Sequence, residues 1–552
     1  MPADRKPDLE PRSPGTGFDW SNPYPMARTP VFARNVVATS QPLAASSGLA
    51  LLRQGGNAVD AAIGSAAVIA LTEPCSNGLG SDAFAIVWDG ARLHGLNASG
   101  AAPAAWTVEY FRRRYGTDPA ARPMRGWDTI TVPGAVAGWA ELHKRFGRLG
   151  FEQVLAPAIE YAERGFTVGP NVHEKWQRAA PLMTSAPGFD QHFLPRGRPP
   201  AIGEHFVLPG AAQALKRIAA SGGEDFYRGE IARAITAFAA QGNGALDLAD
   251  LDRYRPAWVD TIHQSFAGCE LHEIPPNSQG VAALICLGIL SHTELAECAV
   301  DSADWHHLSI EAMKIAFADV YAQVAEPAAM RVTVAQMLDP ELLRQRARLI
   351  DRSRAQVFAP SKLDRGGTIY LAAADAAGMM VSLIQSNYMG FGSGVVVPGF
   401  GISLQNRGAA FSLDPKHPNC VAPGKRPFHT IIPAMLTRDG AAQMAFGVMG
   451  GNMQPQGHVQ VLTRMLLARQ QPQAACDAPR WKWNAGVEVE LESRMPIEVV
   501  AELQRRGHRI VPGDDSYMDF GAGQMIWRLG DPCVDGYVAA SDSRRDGQAC
   551  GY

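Results

Sequence analysis

The chain has 552 residues, 46% of them hydrophobic and 19% charged, with a formal net charge of -3. That composition fits a large globular protein with a substantial core. The near-balanced charge, with no block of one sign, excludes function classes that rest on a basic or acidic surface, such as nucleic-acid or anionic-membrane binding.

The opening "MPADRKPDLEPRSPGTG" is charged and Pro-rich and lacks the apolar core of a secretory signal, so residues 1–25 read as a disordered tail. Pro42 to Arg53 reads as a helix with proline in its first turn. Gly55–Gly56 ends it, and Asn57 caps a second helix through "AVDAAIGSAAVIAL". The most apolar part of that helix, 61–71, is shorter than the ~20 residues a bilayer span needs. "DAFAIVWDGARLHGL" (82–96) is a hairpin around Asp89–Gly90. Residues 105–350 read as mainly helical, with Leu308, Ala312, Ile315, Ala316 and Val320 at helical spacing. "DRSRAQVFAPSKLDRGG" then reads as an exposed linker. Strand signals dominate after it: "TIYLAAAD" and "MMVSLIQS" around Ala376–Ala377–Gly378, "GISLQN", "TIIPAMLT" and "AAQMAFGVMGG". Helices return in "HVQVLTRMLLARQ" and "IEVVAELQRRGH". Helices, then antiparallel hairpins, then helices predict an α+β fold with sheets sandwiched between helices in one intertwined unit.

The eight cysteines are scattered, with no C-x-x-C pair. This spacing predicts free thiols in a reducing compartment, hence a cytoplasmic protein. "GFGSG" (390–394) leads into "VVVPGFG", which cannot open a helix, so it is no dinucleotide loop. No nucleophile elbow and no H-E-x-x-H is present. His307 and Glu311, four apart on one helix, offer half a metal site or a helix-ordering pair; the pair is the better reading.

Gly367–Thr368 is the junction with chemistry. A threonine hydroxyl is a weak nucleophile without a base. Within a chain its own nitrogen is an amide. If the bond before Thr368 is cut, that nitrogen becomes an α-amine with pKa ~7.7–8.0 on the same residue as the hydroxyl. Gly367, lacking Cβ, can present its carbonyl to attack by that hydroxyl.

Several segments together resemble the γ-glutamyltranspeptidase family of N-terminal-nucleophile hydrolases. They are "GGNAVDAAIGSAAVIALTEPCSNGLGSDAFAIVWDG" (55–90), "HLSIEAMKIAFAD" (307–319), "GGTIYLAAADAAGMMVSLIQSNYMGFGSGVVVPGFGISLQN" (366–406), "KRPFHTIIPAM" (425–435), "GVMGGNMQPQG" (447–457), "DAPRWKW" (477–483) and "YVAASDSRRDGQACGY" (537–552). The resemblance runs from about residue 25 to the end. It implies a four-layer αββα sandwich built by two chains cut from one precursor: a large chain, 26–367, and a small chain, 368–552. These would form a tight heterodimer, with a higher oligomer left open. Thr368 would be the nucleophile and Ser386 the hydroxyl that orients it. Gly450 and Gly451 would form the oxyanion hole. His429 and Thr430 fall where the family has substrate-contacting hydroxyls, and Asn406 and Arg407 lie in a further substrate-binding stretch. No metal or organic cofactor is implied.

The departures concern substrate. The family's arginine beside A-P is missing from "NASGAAPAAW" (97–106), and Ala410 stands where an acidic residue would take an α-ammonium. Arg407 replaces a neutral amide and could hold a carboxylate bidentately. The expected substrate is therefore an amide whose acyl part carries a carboxylate but no α-amine, of the glutaryl or oxamate type. The rival readings are a true γ-glutamyltransferase or glutathione hydrolase, and an uncut relative that only binds.

Overall fold

The computed structural model describes residues 28–118, 121–183, 185–358, 367–513 and 520–552. The proposed N-terminal tail and residues 359–366 of the linker lie outside the described residues. Two seven-stranded sheets, antiparallel throughout, form the centre. One has at its middle the hairpin of strands Gly367–Ala374 and Met380–Tyr388, flanked by Val36–Thr39 and Asp82–Trp88. The other centres on Ala434–Arg438 and Ala441–Met449.

Side-chain alternation along Gly367–Ala374 divides the layers. Tyr370, Ala372 and Ala374 face the second sheet, packing with Phe84, Ile384 and Ala445. Ile369, Leu371 and Ala373 face a helical layer that includes Pro42–Arg53 and Ala58–Thr72. Helix Ala58–Thr72 is buried along its whole length. The other sheet is covered by helices Val281–Leu290, Ala303–Gln323 and Met453–Leu466. The result is the four-layer αββα sandwich.

Local chemistry accounts for several boundaries. Asn57 caps its helix as expected, and Asp60 returns a bond to the Asn57 N–H in a capping box. "TIIPAMLT" becomes a strand only at Ala434, because Pro433 has no N–H for a ladder. "GISLQN" keeps only Ile402–Ser403 in a two-stranded ribbon. Residues 105–350 are mainly helical, as expected, and also hold the strands Ala257–Val259, Ile262–Phe266 and Cys269–Glu273. The last two strands form one edge of the second sheet, and Ala257–Val259 one edge of the first. Among the described residues no helix is long and apolar enough to cross a membrane.

Candidate active site

Thr368 is buried near the start of the central hairpin. The register there is irregular. Gly367 pairs with Tyr388 and Ile369 with Gln385, so Ser386 and Asn387 together oppose Thr368. A bulge of this kind re-aims a side chain, and here it accompanies the placement of the Ser386 hydroxyl at the Gly367–Thr368 peptide. Thr368 Oγ1 donates to Ser386 Oγ at 3.2 Å, and Ser386 Oγ donates to the Gly367 carbonyl at 2.7 Å. The same oxygen accepts from the Tyr388 N–H and from Arg407 Nη2, both at 2.8 Å. A cation and a backbone dipole thus polarise the hydroxyl toward the carbonyl.

Arg407 is fully buried. Its Nη1 donates to Thr430 Oγ1 at 2.7 Å, and its guanidinium stacks on the Tyr388 ring at 4.5 Å. Tyr388 has φ +78, a strained setting for a side-chain-bearing residue that is typical of functional sites. Among the described residues no carboxylate lies within ion-pair distance of Arg407. Burial lowers its pKa to about 10, partly countered by Asp82, so it stays charged at neutral pH. Asp82 pairs with Ser386 across the sheet. Burial raises its pKa to about 7 against the pull of Arg407 and of two backbone N–H donors, Gly100 and Gly134.

Two of the expected substrate contacts are buried and hydrogen-bonded within the chain. His429 is buried, with Nε2 at 3.1 Å from Asp82 and its ring edge-on to Phe84. Burial and Arg407 hold its pKa well below the usual imidazole range, so it is a neutral packing residue of the 425–432 loop. Asn406 is also buried. Its carboxamide accepts from the Met389 N–H at 3.2 Å and donates to the Met124 carbonyl at 2.8 Å, bridging two loops. Thr430 does reach open space. It lines a cavity of about 210 Å³ with Tyr388, Ala410, Phe411, Tyr321 and Asn452.

Gly450 and Gly451, at φ +124 and +62, turn the chain from strand Ala441–Met449 into helix Met453–Leu466. Their N–H groups lie at a positive helix end, suited to a developing oxyanion. Gln279 ties this turn to the Thr430 loop by donating to both the Gly451 and Thr430 carbonyls. Tyr370, on the same face as Thr368, packs on Gly447, where any Cβ would meet its ring at 2.5 Å. That contact registers the strand leading to Gly450 over the strand Gly367–Ala374.

His307 and Glu311 are joined by His508, with ligand atoms within 4.8 Å of one another. His307 and Glu311 are engaged by protein groups. His307 Nε2 donates to the Asp351 carbonyl at 2.9 Å, leaving Nδ1 to accept from His508 Nε2 at 2.8 Å. Lys314 donates to Glu311 at 2.6 Å, and Glu311 accepts from the Gln356 N–H. The cluster anchors residues 351–356, which lead toward Gly367.

Sequence reasoning did not single out Asp82, Gln279 or Tyr388. Tyr388 carried a signal, two residues beyond Ser386 at the strand end. Asp82 and Gln279 join the site only through pairing across the fold.

A threonine at the head of a central strand in an αββα sandwich, beside a polarised hydroxyl that Arg407, Thr430 and Gln279 link to a glycine turn, defines the N-terminal-nucleophile hydrolases. Comparison with known proteins agrees. The γ-glutamyltranspeptidase family model matches residues 44–552. The chain is 36% identical to the oxamate amidohydrolase proenzyme of Klebsiella pneumoniae, over 92% of this chain and 97% of that one. It is 33% identical to the glutathione hydrolase-like YwrD proenzyme of Bacillus subtilis, over 95% and 100%. The crystal structure of cephalosporin acylase from Bacillus halodurans superposes with a TM-score of 0.91 at 45% identity, covering 98% and 99%. The chain belongs to the γ-glutamyltranspeptidase family. It is an autoprocessed amidohydrolase with an N-terminal threonine nucleophile, assembled from two chains cut from one precursor.

Proposed function

We propose that the cut falls between Gly367 and Thr368, and that the mature enzyme hydrolyses small amides whose acyl part carries a carboxylate. The observation that carries the substrate class is Arg407: a buried guanidinium with no ion-pair partner among the described residues, bonded to Ser386 and to Thr430 on the cavity wall. A buried cation without a countercharge is costly, and a substrate carboxylate near Thr430 would offset that cost. Among the described residues the same cavity is lined by no acidic side chain for an ammonium; its titratable lining residues are Tyr321, Tyr388 and His417. This favours des-amino acyl groups over γ-glutamyl ones. Similarity to the oxamate amidohydrolase proenzyme and to cephalosporin acylase supports the same reading.

In processing, Thr368 Oγ1 attacks the Gly367 carbonyl while Ser386 donates to its oxygen. The C–N bond breaks, an ester forms, and water releases the Gly367 carboxylate and the Thr368 α-amine. In turnover, that amine takes the proton of Oγ1 as it attacks the substrate carbonyl. Gly450 and Gly451 donate to the oxyanion, the leaving amine receives the proton, and water hydrolyses the acyl-enzyme. Transfer to an amine in place of water follows the same path.

The test is a denaturing gel with N-terminal sequencing, followed by a panel of glutaryl, oxamate and γ-glutamyl amides. A small chain beginning Thr-Ile-Tyr-Leu and turnover of the des-amino amides are expected. Efficient γ-glutamyl cleavage with none of the des-amino amides would overturn the substrate assignment. Thr368→Ala is expected to remain a single uncut chain without activity.

A further inference from the structure

A second cavity, of about 250 Å³, is bordered by Met389 and Gly390, the residues that follow Tyr388. Gly367, Met389, Gly390, Ser76, Lys175 and Arg125 contribute to its wall. Lys175 is held against Glu73, which also pairs with Arg545. Arg125 is different. It is half-buried, and Nη1 donates to the Gly390 carbonyl at 2.8 Å and to that of Gly392 at 2.5 Å. Among the described residues no carboxylate lies within ion-pair distance. Its pKa is lowered to about 10 by burial alone, so it remains a cation. Asn406 holds the preceding residue, Met124, and so fixes the loop that presents Arg125.

We infer that Arg125 is a substrate-anchoring residue that binds a carboxylate on the amine side of the substrate, the part that leaves when the acyl-enzyme forms. The two cavities are bordered by successive residues of one turn, Tyr388 in the first and Met389 and Gly390 in the second. One is walled by Thr430 and by Asn452, which follows the oxyanion glycines, and it takes the acyl group. The other is walled by Gly367, whose departure after the cut joins it to the nucleophile. An amide lying over Thr368 then directs its amine part to Arg125. A guanidinium whose Nη1 is already fixed on backbone carbonyls keeps further donors for a carboxylate. The preferred amines are thus amino acids or other carboxylated amines. This rests on the amide-hydrolase reading above.

The experiment compares kcat/KM for glutaryl-4-aminobenzoate and glutaryl anilide in the processed wild type and in Arg125→Gln. The carboxylate-to-neutral ratio is expected to fall about tenfold in the variant, through KM. Met389→Glu, which puts a carboxylate in the same cavity and leaves the Arg125 backbone bonds in place, is expected to lower the ratio likewise, and it serves if Arg125→Gln does not fold. An unchanged ratio in the folded variants overturns the inference. So does a variant that instead changes the preference for glutaryl over butyryl anilide, since Arg125 would then read the acyl group. If neither amide is hydrolysed, the amide-hydrolase reading fails by itself. Calorimetry with 4-aminobenzoate against aniline still probes the cavity: selective binding lost in the variants supports the inference, and equal binding overturns it.

Discussion

At the scale of single residues, Ser386 Oγ is the crowded atom of the site. It accepts from Thr368, Tyr388 and Arg407 and donates to Gly367. The value of Arg407 to this cluster can be separated from any role in stability. Removing a buried cation that lacks a countercharge does not weaken a fold, and often strengthens it. Removing a donor that polarises a reacting hydroxyl slows chemistry by about a hundredfold. Arg407→Gln is therefore expected to keep or raise the melting temperature while slowing self-cleavage about a hundredfold, followed as loss of the uncut chain on a gel. A lower melting temperature with normal cleavage would mean that Arg407 is a structural residue only.

At the scale of elements, the site is a bulged strand end tied through Arg407, Thr430 and Gln279 to a glycine turn. The uncut chain presents Ser386, not the turn, to the Gly367 carbonyl, so processing and turnover are proposed to use different oxyanion donors. Gly450→Ala separates them. At φ +124, an added Cβ would also lie 3.1 Å from Gly521 Cα and from Met453 Cβ, so the turn must shift. The expected result is an intact self-cleavage rate with kcat lowered about a hundredfold. Equal loss of both rates would show one shared oxyanion hole. Much of this element structure was legible in the sequence. The hairpin around Gly378, the Asn57 cap and the Gly-Gly turn each have local chemical signals. What was not legible depends on partners far along the chain. Strands Val36–Thr39, Ala522–Arg528 and Gln548–Gly551 exist because neighbours more than seventy residues away in sequence, or at the other terminus, pair with them. His429 and Asn406 sat at readable positions, yet their burial and partners, which decide their roles, come only with the fold.

At the scale of the whole molecule, the four layers bury titratable groups that oppose one another in pH. His458 illustrates one set: burial lowers its pKa to about 3, so the folded chain refuses a proton that the unfolded chain takes below 6.5. Its contribution is present above pH 6.5 and is lost as pH falls toward 3. Asp82 has the other sign. Burial lifts its pKa from 3.8 to about 7 despite Arg407, so the folded chain holds a proton that the unfolded chain releases. Its contribution is complete below pH 3.8 and declines as pH rises through about 7. The two slopes overlap between these limits, so a profile of the wild type alone mixes them. The difference between Asp82 and Asp82→Asn separates them. It is best measured in the Thr368→Ala background, where an uncut single chain avoids dissociation of two chains during unfolding. Urea unfolding from pH 4.5 to pH 8 should show the Asp82 chain losing about 3 kcal/mol relative to the Asn variant, mostly below pH 7. A difference that does not change with pH would mean that Asp82 is ionised throughout. Arg407 would then already have its countercharge, and no substrate carboxylate would be needed to supply one.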